Sequence, residues 1–206
     1  MLKIKLLLVV LVVAAAGWFV WGHHKTVVKQ TATKAVVADK ATAAQKVAAV
    51  LAAHCAGNVL GQEVIVSISA QHMWACSGTT VAYDNAVITG MQLYPADLTP
   101  TGTYKIYGKL TDQTLAGHDS TGGWSDFVNY WMPFLNNQYG TYGFHDLTQT
   151  ANGSNGRADS DFGNVDINAP FTAAKHASHG CVEMPLAAAK WLYDWSSVGT
   201  TVVVQT

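Results

Sequence analysis

Apolar and polar positions fall into blocks along this chain, and each change of period marks a change of element. The first block has no polar interruption: "LLLVVLVVAAAGWFVW", Leu6 to Trp21, runs for 16 residues without a charge behind Lys3 and Lys5. A basic segment ahead of an apolar core has the layout of a signal peptide or a signal anchor. No small-x-small cleavage site follows, and two tryptophans close the run as an interfacial aromatic belt would. An uncleaved anchor is therefore favoured over a removed signal. Residues 22–42 are rich in Lys, Thr, Ala and Val, have no apolar period and read as linker. "ATAAQKVAAVLAAHCA" (Ala41 to Ala56) has high helix propensity, with Val47, Val50, Leu51 and His54 at spacings of three and four, and Gly57-Asn58 stops it. The expected organisation is an anchor or signal over residues 1–22, a basic linker with a short helix over 23–58, and a folded domain over 59–206.

Beyond Gly61 the period falls to two. "EVIVSIS" alternates, and "QHMWACSGTTVAYDNAVIT" reads as two strands around a Ser77-Gly78 turn. "PTGTYKIYGKL" (Pro100 to Leu110) predicts another strand, and "FVNYWMPF" and "YGTYGFHD" are extended in character. "LTQTANGSNGRADSDFGNVDINAP" is loop by composition. "PLAAAKWLYDWS" (Pro185 to Ser196) is the firmest helix, with proline at its first turn and an apolar face from Leu186, Ala189 and Leu192. "GTTVVVQT" ends the chain as a strand. A mainly β domain with one firm helix argues for a closed or curled sheet rather than alternating βαβ units.

Charge divides the chain where the pattern does. Residues 1–50 carry seven lysines and one aspartate, whereas residues 51–206 carry five basic and twelve acidic groups, so the formal net charge of −1 hides a dipolar chain. A basic neck suits contact with anionic lipid or wall polymer, with an acidic domain held off the surface. The folded part has no basic footprint of the kind nucleic acid requires.

Three cysteines remain to be placed. In an exported chain Cys55 and Cys76 are free to pair as a disulfide, and each is equally readable as a buried thiol. Cys181 stands in "KHASHGCVEMP", where Ser178, His179 and Gly180 let the backbone turn sharply and present N–H groups toward one point. A thiol beside an imidazole and close to a helix start gains thiolate character. With backbone donors beside it, such a thiolate has what acyl transfer needs; the bland alternative is a structural cysteine in a chance His-Gly-Cys. His145, His176, His179, Cys181 and Asp146 have the composition of a zinc set but not its spacing, so no metal is expected.

"SHGCVEMP", preceded by "YGFHD" (Tyr142 to Asp146), resembles the active-site signature of the L,D-transpeptidases, the YkuD-type catalytic domain. Three further blocks are similar to that family in the same order: "QEVIVSISAQHMWACSGTTVAYDNAVITG", "LTPTGTYKIYG" and "PLAAAKWLYDWSSVGTTVVV". The resemblance covers roughly residues 60–206 and implies a β-rich, barrel-like sandwich. It implies Cys181 as nucleophile, His145 as base, and Ser178 and His179 as the shell around the thiol, with oxyanion donors from the backbone of Gly180 and Cys181. Tyr142, Gly143, Phe144, Asp146 and Glu183 are assigned to the substrate side, with Gly143 allowing the close approach before His145 and the Asp146 carbonyl available to orient the ring. The implied reaction attacks the L,D bond of a peptidoglycan tetrapeptide stem and passes the acyl group to an amine, giving 3–3 cross-links. With water as acceptor it is a carboxypeptidase or hydrolase, and a non-catalytic wall-binding member of the fold is the third reading. The resemblance also implies covalent inhibition by carbapenems, no cofactor, and a position on the membrane facing the cell wall or secreted into it.

Two features depart from the family pattern. Glu183 stands where Arg or Asn is usual, and an acid there would repel a substrate carboxylate and raise the cysteine pKa. The 36 positions from His145 to Cys181 exceed the usual interval, the excess lying in residues 147–170, which read equally as a lid or as a surface insertion. His176 reads as solvent-facing and His72 as structural. Trp131, Phe134, Tyr139 and Tyr142 read as core or as groove wall.

Overall fold

A computed structural model describes residues 53–147, 149–150 and 156–206. The apolar run at residues 6–21, the linker and most of the Ala41–Ala56 helix lie outside them. Among the described residues no helix is long and apolar enough to cross a membrane.

Among the described residues the domain has ten strands and one complete α-helix. The strands are β1 (Gln62–Ser67), β2 (His72–Ser77), β3 (Thr80–Ala86), β4 (Gly102–Lys105), β5 (Leu110–Asp119), β6 (Gly122–Asn137), β7 (Gly140–Asp146), β8 (Gln149–Thr150), β9 (Val182–Met184) and β10 (Thr201–Gln205). The helix α1 spans Leu186–Trp195. They form two sheets, ordered β3-β2-β1-β10-β4 and β5-β6-β7-β9, with β8 paired to β6. The domain is mainly β with a helix near the C-terminus, and its strands form two sheets as the expected sandwich requires, rather than the single closed or curled sheet of the pattern alone.

Alternation sets the core. In the first sheet Val64 faces Ala75 and Val202, and Val66 faces Met73 and Val204. All six are buried and meet Met132, Phe134 and Phe144 of the second sheet in one cluster. Cys76 is also buried, and a disulfide joins it to Cys55. Beside it the His54 ring stacks on Trp74 with centroids 3.7 Å apart. Pro185 caps α1, which buries Ala188, Ala189 and Leu192 in the same cluster. Truncating Leu192 to alanine would cost about 2–5 kcal/mol by the usual measure of a buried leucine.

The sequence pattern misses β5 and the first part of β6. The expected strand at Pro100–Leu110 is the short β4, and Leu110 instead opens a ten-residue strand. The reason is physical. Residues 110–119 alternate only between exposed and half-buried positions, because this hairpin extends beyond the core. Only from Val128 onward does β6 bury side chains.

Candidate active site

Strand pairing brings the two halves of the candidate site together. β9 runs parallel to β7, with Val182 opposite Phe144 and Glu183 opposite His145. Cys181, immediately before β9, therefore lies beside the strand that carries His145. Gly180 has φ +112°, and a Cβ there would come within 2.5 Å of the Tyr142 ring and 3.2 Å of the Leu98 carbonyl. Any larger residue would push the turn away from β7.

Side chains lock that turn. Ser178 is buried, its hydroxyl donates to the Cys181 carbonyl, and the Gly180 N–H donates back to Ser178 Oγ at 3.1 Å. Thr99 Oγ1 donates to the Gly180 carbonyl at 2.7 Å while accepting from Gly90 N–H. The Gly180 amide, offered by sequence as an oxyanion donor, is thus engaged by Ser178. The Cys181 thiol is half-exposed, unbonded to another cysteine, and 3.8 Å from the Thr141 carbonyl oxygen.

His145 is 3% exposed. Its Nδ1 donates to the Asp146 carbonyl at 2.9 Å, leaving the other ring nitrogen for the Cys181 thiol. Burial acts to lower the imidazole pKa. The hydrogen bond and charge of Cys181, the Glu183 carboxylate and the Asp146 carbonyl outweigh it and raise the value to about 9. The pair thus favours a proton on the ring beside the sulfur.

His179 is held differently. Its ring lies between Trp124 (4.5 Å) and Phe171 (4.1 Å), stacked on both, and its Nε2 is 2.7 Å from Asp119 Oδ2. Asp119 closes the β5–β6 hairpin, where Oδ1 accepts from the Thr121 amide and hydroxyl and the Gly122 amide. Burial would raise the Asp119 pKa, but the bonds from Thr121 and His179 prevail and hold it at about 2. The hairpin tip is thereby pinned to the turn that carries the thiol.

Two cavities share His179 and Trp124 as a wall. One, of about 170 Å³, holds Cys181 with Asp97, Thr141 and Tyr142 in its lining. The other, of about 440 Å³, is lined by Asp126, Arg157, Phe171, His176 and Glu183 among others.

Several residues expected on the substrate side are elsewhere. Phe144 is fully buried against Phe134, so it belongs to the core. Asp146 turns its carboxylate onto β6, accepting from the Asn129 and Tyr130 amides at 2.9 and 2.8 Å, and offers the site only its carbonyl. Gly143 is covered by Trp131: a Cβ there would lie 2.6 Å from the indole. Glu183 is 4% exposed and bound by Arg157, so it presents no free charge to a substrate. Tyr142 alone of the five lines the thiol's cavity, its hydroxyl donating to the Ala96 carbonyl at 3.1 Å. Trp131 and Phe134 are core, and exposed Tyr139 is groove wall. His176 is half-buried rather than solvent-facing, with Nδ1 2.7 Å from the Ala177 carbonyl. Among the described residues no group of acidic, cysteine and histidine side chains has the arrangement of a metal site.

Sequence reading missed Asp119, Trp124 and Arg157. The turn signal "HDSTGG" before Trp124 was available to mark the hairpin. Arg157 carried a different signal: it is the sole arginine of the chain.

Fold, parallel β7–β9 register and the His145–Cys181 pairing define a protein with a buried imidazole against a half-exposed thiol on a two-sheet scaffold. The L,D-transpeptidase catalytic domain model (YkuD) matches residues 61–204, and the chain belongs to that family. Among similar proteins, "Putative L,D-transpeptidase YciB" of Bacillus subtilis (strain 168) is 24% identical over 139 residues, 68% of this chain and 63% of that protein. The solved structure of a cysteine-to-serine mutant of Enterococcus faecium L,D-transpeptidase is 28% identical with TM-score 0.51, covering 70% of this chain and 49% of that one. The Ldtfm-avibactam carbamoyl enzyme is 26% identical with TM-score 0.52, covering 71% and 49%. The chain thus spans between about half and two thirds of the length of these relatives.

Proposed function

We propose that this protein is a peptidoglycan L,D-transpeptidase that works through a Cys181 thioester. The observation that carries the reading is the buried His145, bound through Nδ1 to the Asp146 carbonyl, with Cys181 the leading influence that raises its pKa to about 9. At neutral pH that arrangement keeps a proton on the ring beside the sulfur; the thiolate is the attacking form of a cysteine.

The Cys181 sulfur attacks the carbonyl carbon of the L,D bond in a tetrapeptide stem, forming a C–S bond. As the C–N bond breaks, the His145 imidazolium gives its proton to the departing D-amino acid amine. An amine from a neighbouring stem then attacks the thioester, the C–S bond breaks, and the neutral His145 takes the proton that the amine loses. The product is a 3–3 cross-link. With water in place of the amine the same steps give carboxypeptidase activity. Because Ser178 engages the Gly180 amide, the Cys181 amide is the candidate oxyanion donor at this turn. The basic neck and apolar segment at the N-terminus support a location at the membrane facing the wall.

The relative captured as a carbamoyl enzyme supports the choice of an acylating probe. Incubation of the full chain with a carbapenem should add one inhibitor mass, and Cys181→Ala should abolish the adduct. No adduct on folded wild-type protein would overturn the reading in favour of a wall-binding role. Stem peptides supplied with and without an amine acceptor then separate cross-linking from hydrolysis by the appearance of dimers.

A further inference from the structure

The single arginine of this chain is buried beside the candidate site. Arg157 Nε donates to Glu183 Oε2 at 2.8 Å, and the two side chains are only 9% and 5% exposed. Its Nη2 donates to the Ala177 carbonyl at 3.2 Å and lies 3.5 Å from His176 Nδ1. Its backbone N–H donates to the Leu147 carbonyl at 2.9 Å, one residue past the end of β7. Ala177 precedes Ser178, and Glu183 follows Cys181 by two positions. One guanidinium therefore holds both flanks of the turn that carries the thiol, and the Arg157 backbone ties them to the residue that follows the strand carrying His145.

We infer that Arg157 is a positioning residue for the Cys181–His145 pair, acting by clamping both flanks of the thiol turn and by neutralising the buried Glu183 carboxylate beside His145. The inference rests on the acyl-transfer reading and deepens it. The fork geometry of arginine is what permits one side chain to bind a carboxylate and a carbonyl together. Its charge matters as much. Glu183 faces His145 across the β7–β9 register, and Asp126, in the lining of the same cavity, also acts on His145. Asp161 lines that cavity too, so Arg157 is its one formal cation among the described lining residues when the histidines are neutral. A buried carboxylate stripped of its partner is far less tolerable than the intact pair. This also accounts for an acid two positions after the thiol: the insertion that lengthens the His145–Cys181 interval supplies the charge that offsets it.

The test compares Arg157→Met, Arg157→Lys and Arg157→Met/Glu183→Gln in the full chain, using carbapenem acylation rate and NMR titration of the His145 imidazole. Arg157→Met should slow acylation about 100-fold, the loss expected of a small displacement of reacting groups, and should raise the His145 pKa above its value of about 9. Arg157→Lys, which keeps the charge but not the fork, should leave the titration near wild type and recover part of the rate. Adding Glu183→Gln to Arg157→Met should bring the His145 pKa below wild type and restore much of the rate. A folded Arg157→Met with wild-type rate and titration would overturn the assignment. Should that variant fail to fold, the double variant decides, since an unchanged His145 pKa without Glu183 would equally overturn it. Wild-type acylation tests the acyl-transfer reading by itself, and the titrations judge Arg157 even if no adduct forms.

Discussion

His145 and His179 both belong to the surroundings of Cys181, yet they are held in different ways. His145 comes from the middle of the core, on β7, and is buried with a carbonyl on Nδ1 and with Cys181 the leading influence that raises its pKa. His179 comes from the thiol's own turn, half-exposed between two aromatic rings, with a carboxylate from the β5–β6 hairpin on Nε2. The first has a partner that exchanges a proton in the proposed reaction. The second has a partner that is ionised down to about pH 2 and closes a turn. Identity of residue and nearness to the sulfur do not assign a role; the partner does. On the proposed chemistry His145 is the proton carrier and His179 the pin that fastens the hairpin to the turn.

The sharpest way to break that distinction is to remove each ring. His145→Gln should lower the carbapenem acylation rate of Cys181 by about 10³-fold or more, in the upper range for loss of a general acid–base. His179→Gln should cost on the order of tenfold, through looser positioning. Equal losses, measured by intact mass against time, would refute the division of roles. Next in size, Asp119→Asn should reproduce the His179→Gln loss, and the double variant should be no slower than either single. That non-additivity is the mark of two residues acting through one contact; an additive loss would separate them.

Legibility in the sequence follows the same line. Strands with a buried face were readable: β1, β2 and β10 alternate because each packs Val, Met or Ala against the second sheet. The thiol turn was readable because small residues and a histidine are crowded into a few positions. What failed to register was the hairpin and the arginine, where the determining contact is made far along the chain. Asp119 meets His179 across 60 positions, and Arg157 meets Glu183 across 26. No local period records such contacts. The misassigned residues share a cause as well. Phe144 and Asp146 flank His145 on a strand, so alternation sends their side chains away from that of His145. Adjacency to His145 in sequence therefore does not carry a side chain into the cavity that holds Cys181.

A smaller effect sharpens the contrast at the level of protonation. Removing the sulfur in Cys181→Ala takes away the interactions with Cys181 that lead those raising the His145 pKa, while burial continues to lower it. NMR titration should therefore find His145 falling from about 9 toward or below its ordinary 6.5. A His145 value still near 9 in the variant would mean that Glu183 and the Asp146 carbonyl, not the thiol, set it.

The smallest expected effect lies in stability against pH, and its sign differs between the two pairs. His145 binds its proton more tightly folded than unfolded, so its contribution is complete below about pH 6.5 and is lost as pH rises through about 9. Asp119 releases its proton more readily folded than unfolded, so its contribution is complete above about pH 3.8 and is lost as pH falls through about 2. Denaturant unfolding across this range should show stability declining on the alkaline side in wild type and declining less in Cys181→Ala. On the acid side the decline should be reduced in Asp119→Asn and unaffected by loss of the thiol. If Cys181→Ala flattened the acid limb instead, the two histidines would be coupled through the turn, and the separation of carrier from pin would have to be given up.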